Sequence, residues 1–160
     1  MAAPDLPTLY KFEYNFESAA VTFLNTATGI TVNRTVVEDV LETPRIEVRL
    51  DMGDANDPPV LRDGGASPAL VDYRSFNASF SAIVITDNST GQTADHGTYR
   101  TKIRVALMRS AANWDSTTLP YYDVKYLKSS GDNYSTDGDF NVTEMAFALV
   151  FEIRSDAWPA

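Results

Sequence analysis

Cysteine is absent from this 160-residue chain, and histidine occurs once, at His96. The first absence removes disulfides, thiolate metal sites and cysteine nucleophiles, and it fits a reducing compartment. The second leaves a single imidazole for acid–base chemistry. Long apolar runs are also missing: no stretch approaches the about 20 residues of a membrane span. The start, Met1-Ala2-Ala3-Pro4-Asp5-Leu6-Pro7, has neither a basic segment nor an apolar one, so it does not read as a signal peptide. Asn-x-Ser/Thr triplets at Asn33, Asn77, Asn88, Asn133 and Asn141 therefore read as chance. Positive charge is scarce. Thirteen Lys and Arg face 22 Asp and Glu, for a net charge of −9. Nucleic-acid binders are usually basic, because phosphate neutralisation supplies their affinity. Most of this surface should repel DNA and favour solubility.

What is present suits a globular fold. Hydrophobic residues make up 44% of the chain, close to the globular average. The length fits one domain over 1–160, with residues 1–13, which hold two prolines, as an N-terminal arm. Phe16, Ala20, Phe23, Leu24 and Ala27 recur at three- and four-residue steps and predict a helix, with Asn15 as cap, Glu17 near its positive end and Gly29 as its stop. Ile30 to Val37 reads as a strand. Ile46, Val48, Leu50 and Met52 alternate with Arg45, Glu47, Arg49 and Asp51, which predicts a strand with one buried and one wet face. Pro44 suits its start. Residues 53–74 read as a long loop, punctuated by Gly53, Pro58, Pro59, Gly64, Gly65 and Pro68. Alternation resumes from Ser75 to Ile85, with Phe76, Ala78, Phe80, Ala82 and Val84 on one side.

A second helix is predicted over Ala94 to Trp114, with Tyr99, Ile103, Ala106, Leu107, Ser110 and Trp114 on its apolar face. Tyr122, Val124 and Tyr126 alternate in a further strand. Lys128–Asn141 reads as an acidic loop, and Met145, Phe147, Leu149, Phe151 and Ile153 as a long final strand. Ala146, Ala148 and Val150 make the middle of that strand apolar on both faces, so it should be central or covered. The order α-β-β-β-α-β-β predicts an α+β fold: a largely antiparallel twisted sheet of about five strands with two helices packed on one face.

The chemistry-bearing motifs are thin. His96 lacks an evident partner and reads as a surface or capping histidine. Asp132 to Asp139 carries glycine and carboxylates, but not at the spacing of an EF-hand, and reads as a solvated loop. Asp51, Asp54, Asp57 and Asp63 read the same way. Arg62-Asp63-Gly64-Gly65 has no Walker spacing. No carboxylate pair is singled out for sugar hydrolysis. Arg100, Lys102, Arg104 and Arg109 read as a solvated helix face, or as a basic interface for acidic loops of a neighbouring subunit. No catalytic residue, cofactor or metal is expected.

The element order, the stretch Tyr121-Tyr122-Asp123-Val124-Lys125-Tyr126-Leu127, and the closing alternation Val142-Thr143-Glu144-Met145-Ala146-Phe147-Ala148-Leu149-Val150-Phe151-Glu152-Ile153-Arg154 together resemble the tail terminator proteins of long-tailed bacteriophages, also called tail-to-head joining or tail completion proteins. The resemblance runs from about Phe16 onward. It implies a non-enzymatic virion protein of the phage neck or upper tail, assembled in the host bacterial cytoplasm. It implies a ring, commonly of six subunits, that terminates the tail tube and joins it to the capsid connector. The implied partners are other copies of the chain, the tail tube protein and a head–tail connector or adaptor, with DNA passing through unbound and no membrane. A head-completion or neck adaptor protein is the alternative within that class, and a small acidic-site hydrolase the alternative outside it. Arg100, Arg104, Ile83, Ile85 and Val150 are the candidate interface residues. Asp54, Asp57, Asp63, Asp132, Asp137 and Asp139 are the candidates to face the channel or the tube.

Overall fold

Every second residue from Ala78 to Val84 is apolar, and the pleat of a strand sends such a set to one side. In the computed structural model, which describes residues 12–35, 42–55, 60–63, 70–109 and 122–154, that side is the core. The elements are α1 (Phe12–Thr28), β1 (Thr31–Arg34), β2 (Arg45–Ala55), β3 (Val60–Asp63), β4 (Leu70–Asp87), α2 (Thr93–Arg109), β5 (Tyr122–Asp137) and β6 (Phe140–Arg154). The sheet runs β1-β2-β4-β6-β5, with β3 also paired to β4. Only β1 and β2 are parallel. This is the expected α+β class, with a largely antiparallel sheet, plus the short strand β3.

Register explains the core. Val48 lies opposite Ala82, and Leu50 opposite Phe80. Phe80 in turn lies opposite Phe147, and Ala82 opposite Met145. These residues share one face and are buried together with Phe16, Ala20 and Leu24 of α1 and Ile103 and Leu107 of α2. Both helices therefore cover the same face. Phe16 meets Phe80 edge-on, with ring centroids 5.7 Å apart.

Several predicted boundaries move. α1 starts at Phe12, so Asn15 lies inside the helix and does not cap it. Glu17 is buried and holds Arg34 of β1 at 3.0 Å. Gly29 does end the helix, at φ +77°, where a side chain would be strained. α2 is described from Thr93 to Arg109; Ser110 and Trp114 lie outside the described residues. So do most of the predicted 1–13 arm and Val36 and Val37 of the first predicted strand.

Two predicted loops are largely strand. Within 53–74, β2 continues to Ala55, β3 occupies Val60–Asp63, and β4 begins at Leu70. β3 and β4 pair antiparallel from Asp63–Leu70 outward. Within 128–141, β5 continues to Asp137 and pairs with β6 down to Asp137–Phe140. Gly138, at φ +59°, begins the turn that closes this hairpin.

Strand length exceeds helix length by a wide margin. The 18 residues of β4 span about 60 Å, whereas the 17 residues of α1 span about 25 Å. The helices cover only part of the sheet's length.

Phe80→Ala should destabilise the fold by about 3–5 kcal/mol, whereas Ser79→Ala, exposed on the face opposite the helices, should change it by less than about 0.5 kcal/mol. Urea denaturation of the two variants checks this reading of the pleat; equal losses would refute it.

Candidate functional site

The opposite face of the sheet carries Arg45, Glu47, Arg49 and Asp51 from β2, Ser79, Ser81, Ile83 and Ile85 from β4, and alternate residues of β6 from Val142 to Val150. Neither helix packs on it. Val142, Ala146, Ala148 and Val150 are half-buried, as is Ile83, while Ile85 is 8% exposed. Ile83, Ile85 and Val150 thus all sit on this face, but not in one patch. Ile85 lies beside Val142, whereas Val150 is opposite Asn77, about 20 Å along the strand from Ile83. Small residues fill the interval. Val142 belongs with Ile83 and Ile85, and the alternation of β6 already puts it on their face.

Charge on this face is arranged in local pairs. Arg45 meets Glu47 at 3.1 Å, and Arg49 meets Asp51 at 3.0 Å and Glu144 at 3.8 Å. Ser81, 2% exposed, donates to Glu144 at 2.9 Å.

The basic run of α2 is engaged within the chain. Arg100 and Arg104 both grip Asp132 of β5, at 2.9 and 2.5 Å. Lys102 reaches the Thr28 carbonyl at the end of α1, at 3.5 Å, where a cation suits the helix dipole. Asp132 is therefore neither in a loop nor unpaired. It lies opposite Met145, a core residue, and so projects to the helix side. Burial pushes its carboxyl up, and the Arg100 and Arg104 guanidiniums overcome that, so it titrates below its ordinary value.

The remaining acidic candidates are dispersed. Asp137 ends β5, and Asp139 is exposed in the hairpin turn. Asp54 is in β2 and Asp63 in β3, not in a loop as expected. Asp57 lies outside the described residues. Among the described residues no three His, Cys, Asp or Glu side chains are grouped to hold a metal ion. No helix among them is long and apolar enough to cross a membrane.

His96 departs from its predicted surface or capping role. It is 4% exposed, and its ring nitrogens each lie 2.7 Å from a threonine hydroxyl, Nδ1 from Thr86 and Nε2 from Thr143. The signal was in the sequence: His96 precedes Tyr99 by three residues and Ile103 by seven, on the apolar stripe of α2. Tyr134 meets the imidazole edge-on, with centroids 5.9 Å apart. This cluster holds neither a nucleophile activated for attack nor a carboxylate paired with the imidazole among the described residues.

No protein-family model matches the chain. No curated protein matches it. Among solved structures, a chain of a structure described as the virion of the native gene transfer agent particle aligns over 81% of this chain and 84% of that chain, at 15% identity and a TM-score of 0.38. That likeness carries no argument about function.

Asp132→Asn should lower stability by about 1 kcal/mol, less in added salt, because the pair is partly exposed. Asp132 is held below its ordinary 3.8, so its contribution is complete above that pH and is lost as pH falls toward the folded-state value. Acid denaturation curves check it: the variant should lose that part of the acid transition.

Proposed function

We propose that this chain is a structural protein of a phage-type virion, placed at the neck or upper tail. In this reading it forms a ring that terminates the tail tube and meets the capsid connector. The observation that carries the reading is the second face of the sheet. Both helices lie on one side, yet Ile83, Val142 and Val150 stand on the other, separated by Ser79, Ala146 and Ala148. A sheet whose central strands are apolar on both faces is normally covered on both. A neighbouring subunit supplies that cover, and a head-to-tail contact that closes by rotation makes a ring. The sequence resemblance to tail terminators supports the same assembly. The acidic surface, with Asp137 and Asp139 exposed at the hairpin tip, lets DNA pass without sticking.

Light scattering should give a defined oligomer, either alone or on adding the tail tube protein. Ile83→Lys and Val150→Lys should each weaken self-association about tenfold or more, with circular dichroism unchanged. A chain that stays monomeric in both settings, or variants that assemble like the parent, would sink the proposal.

A further inference from the structure

His96 is the one histidine of the chain, and so the one side chain whose ordinary titration lies between about pH 5 and 8. It also sits in a polar cluster of which Thr86, Thr143 and Asn141 are buried with it. Thr86 comes from β4 and Thr143 from β6. Tyr134, whose ring edge meets the imidazole, lies opposite Thr143 on β5. The Tyr134 hydroxyl donates to Asn141 Oδ1 at 2.8 Å. Asn141, 3% exposed, donates from Nδ2 to Asn88 Oδ1 and to Thr93 Oγ1. Thr93 donates in turn to Asn88 at 2.5 Å. The first turn of α2, the turn before it and the tip of the β5–β6 hairpin are thus joined around one imidazole.

We propose that His96 is an acid-sensitive latch: neutral, it pins the start of α2 and the hairpin tip to the sheet, and protonation releases that end while the core around Phe80 stays folded.

Hydrogen counting supports this. A neutral imidazole donates from one nitrogen and accepts at the other, so one threonine accepts and the other donates. Both contacts are then satisfied. A protonated ring donates from both nitrogens, and the threonine that had donated must turn its hydrogen elsewhere. Neither hydroxyl has another partner among the described residues. A buried donor left unpaired is costly.

Nor does any facing charge among the described residues favour the imidazolium. On α2, Arg100 stands one turn away and repels it, and Asp95 is exposed. On β5, Asp132 is held by the two arginines. On β4, the Asp87 carboxylate accepts from Ser89 N and Oγ at 2.7 and 2.6 Å. On β6, Glu144 points to the other face. Asp139 is exposed in the turn. Burial, and then Arg100, hold His96 below its ordinary 6.5. The unfolded chain takes up the proton first as pH falls. The latch's contribution is therefore complete above 6.5 and is lost as pH falls from there to the folded-state value. Asp87 and Asp132, also held low, act only below their ordinary 3.8. The window between belongs to His96.

The test is an NMR titration of the His96 ring, with amide hydrogen exchange near pH 7.5 and near pH 5. His96 should titrate below 6.5. On acidification, and after correction for intrinsic exchange, the amides of residues 93–99 and 139–143 should lose protection about tenfold per unit of pKa depression. Those of Ile46 to Leu50 should hold. His96→Gln should remove the pH step. A ring titrating at or above its ordinary value, protection lost evenly across the sheet, or the same step in the glutamine variant would each overturn the latch. The first two readouts need only the parent protein, so a variant that fails to fold does not rescue the idea.

Discussion

β4 is hydrogen-bonded to β2 along one side and to β6 along the other, so the pleat of this one strand decides which residues of three strands meet the helices. Phe80 sits at the centre of that decision. It lies between Leu50 and Phe147 in register and beneath Phe16 of α1. A slip of one residue would send Ser79 and Ser81 into the helix layer and Phe80 out of it. The buried set is large enough that register is strongly specified, and the positions of Ile83, His96 and Asp132 all follow from it.

The polar chemistry of the molecule is laid out around that core. On the helix side two polar contacts tie α2 to the sheet at different heights. Near its start His96 reaches β4 and β6, and a turn or two later Arg100 and Arg104 reach Asp132 of β5. Between and beyond them Ile103 and Leu107 are fully buried. Charges and hydroxyls here orient a helix that apolar contact alone would leave free to rotate or slide. Arg100, Lys102 and Arg104 all make contacts within the chain.

How much of this was legible in the sequence follows from the signals each element carries. β2, β4 and β6 declared themselves because apolar residues recur at every second position of each. The buried stripe of α1 did so through Phe16, Ala20 and Leu24. The second half of β5 did not. Ser129, Ser130, Asp132 and Asn133 are polar on both sides of an edge strand, and their pairing with β6 runs through the backbone, which has no side-chain signature. β3 was hidden between a proline pair and a glycine pair that read as loop. Asp132 as the partner of Arg100 and Arg104 was out of reach, since 32 and 28 residues separate them and only the fold brings them together. His96 was within reach. Its place on the apolar stripe of α2 outweighed the general preference of histidine for surfaces.

The sheet face opposite the helices carries its charge in local pairs. The chain as a whole carries −9, so two copies repel at a distance. Among the described side chains of this face, Arg45 and Arg49 stand against Glu47, Asp51 and Glu144, and both arginines are within 4 Å of an acid on the same face. Charge is thus cancelled locally before any partner arrives. Bringing a second surface against Ile83, Val142 and Val150 would desolvate pairs that already compensate each other, which costs less than burying lone charges. For an acidic protein that is to join copies of itself, contact has to run through whatever part of its surface is close to neutral. Among the described elements, this face meets that condition and also presents the apolar residues that reward being covered.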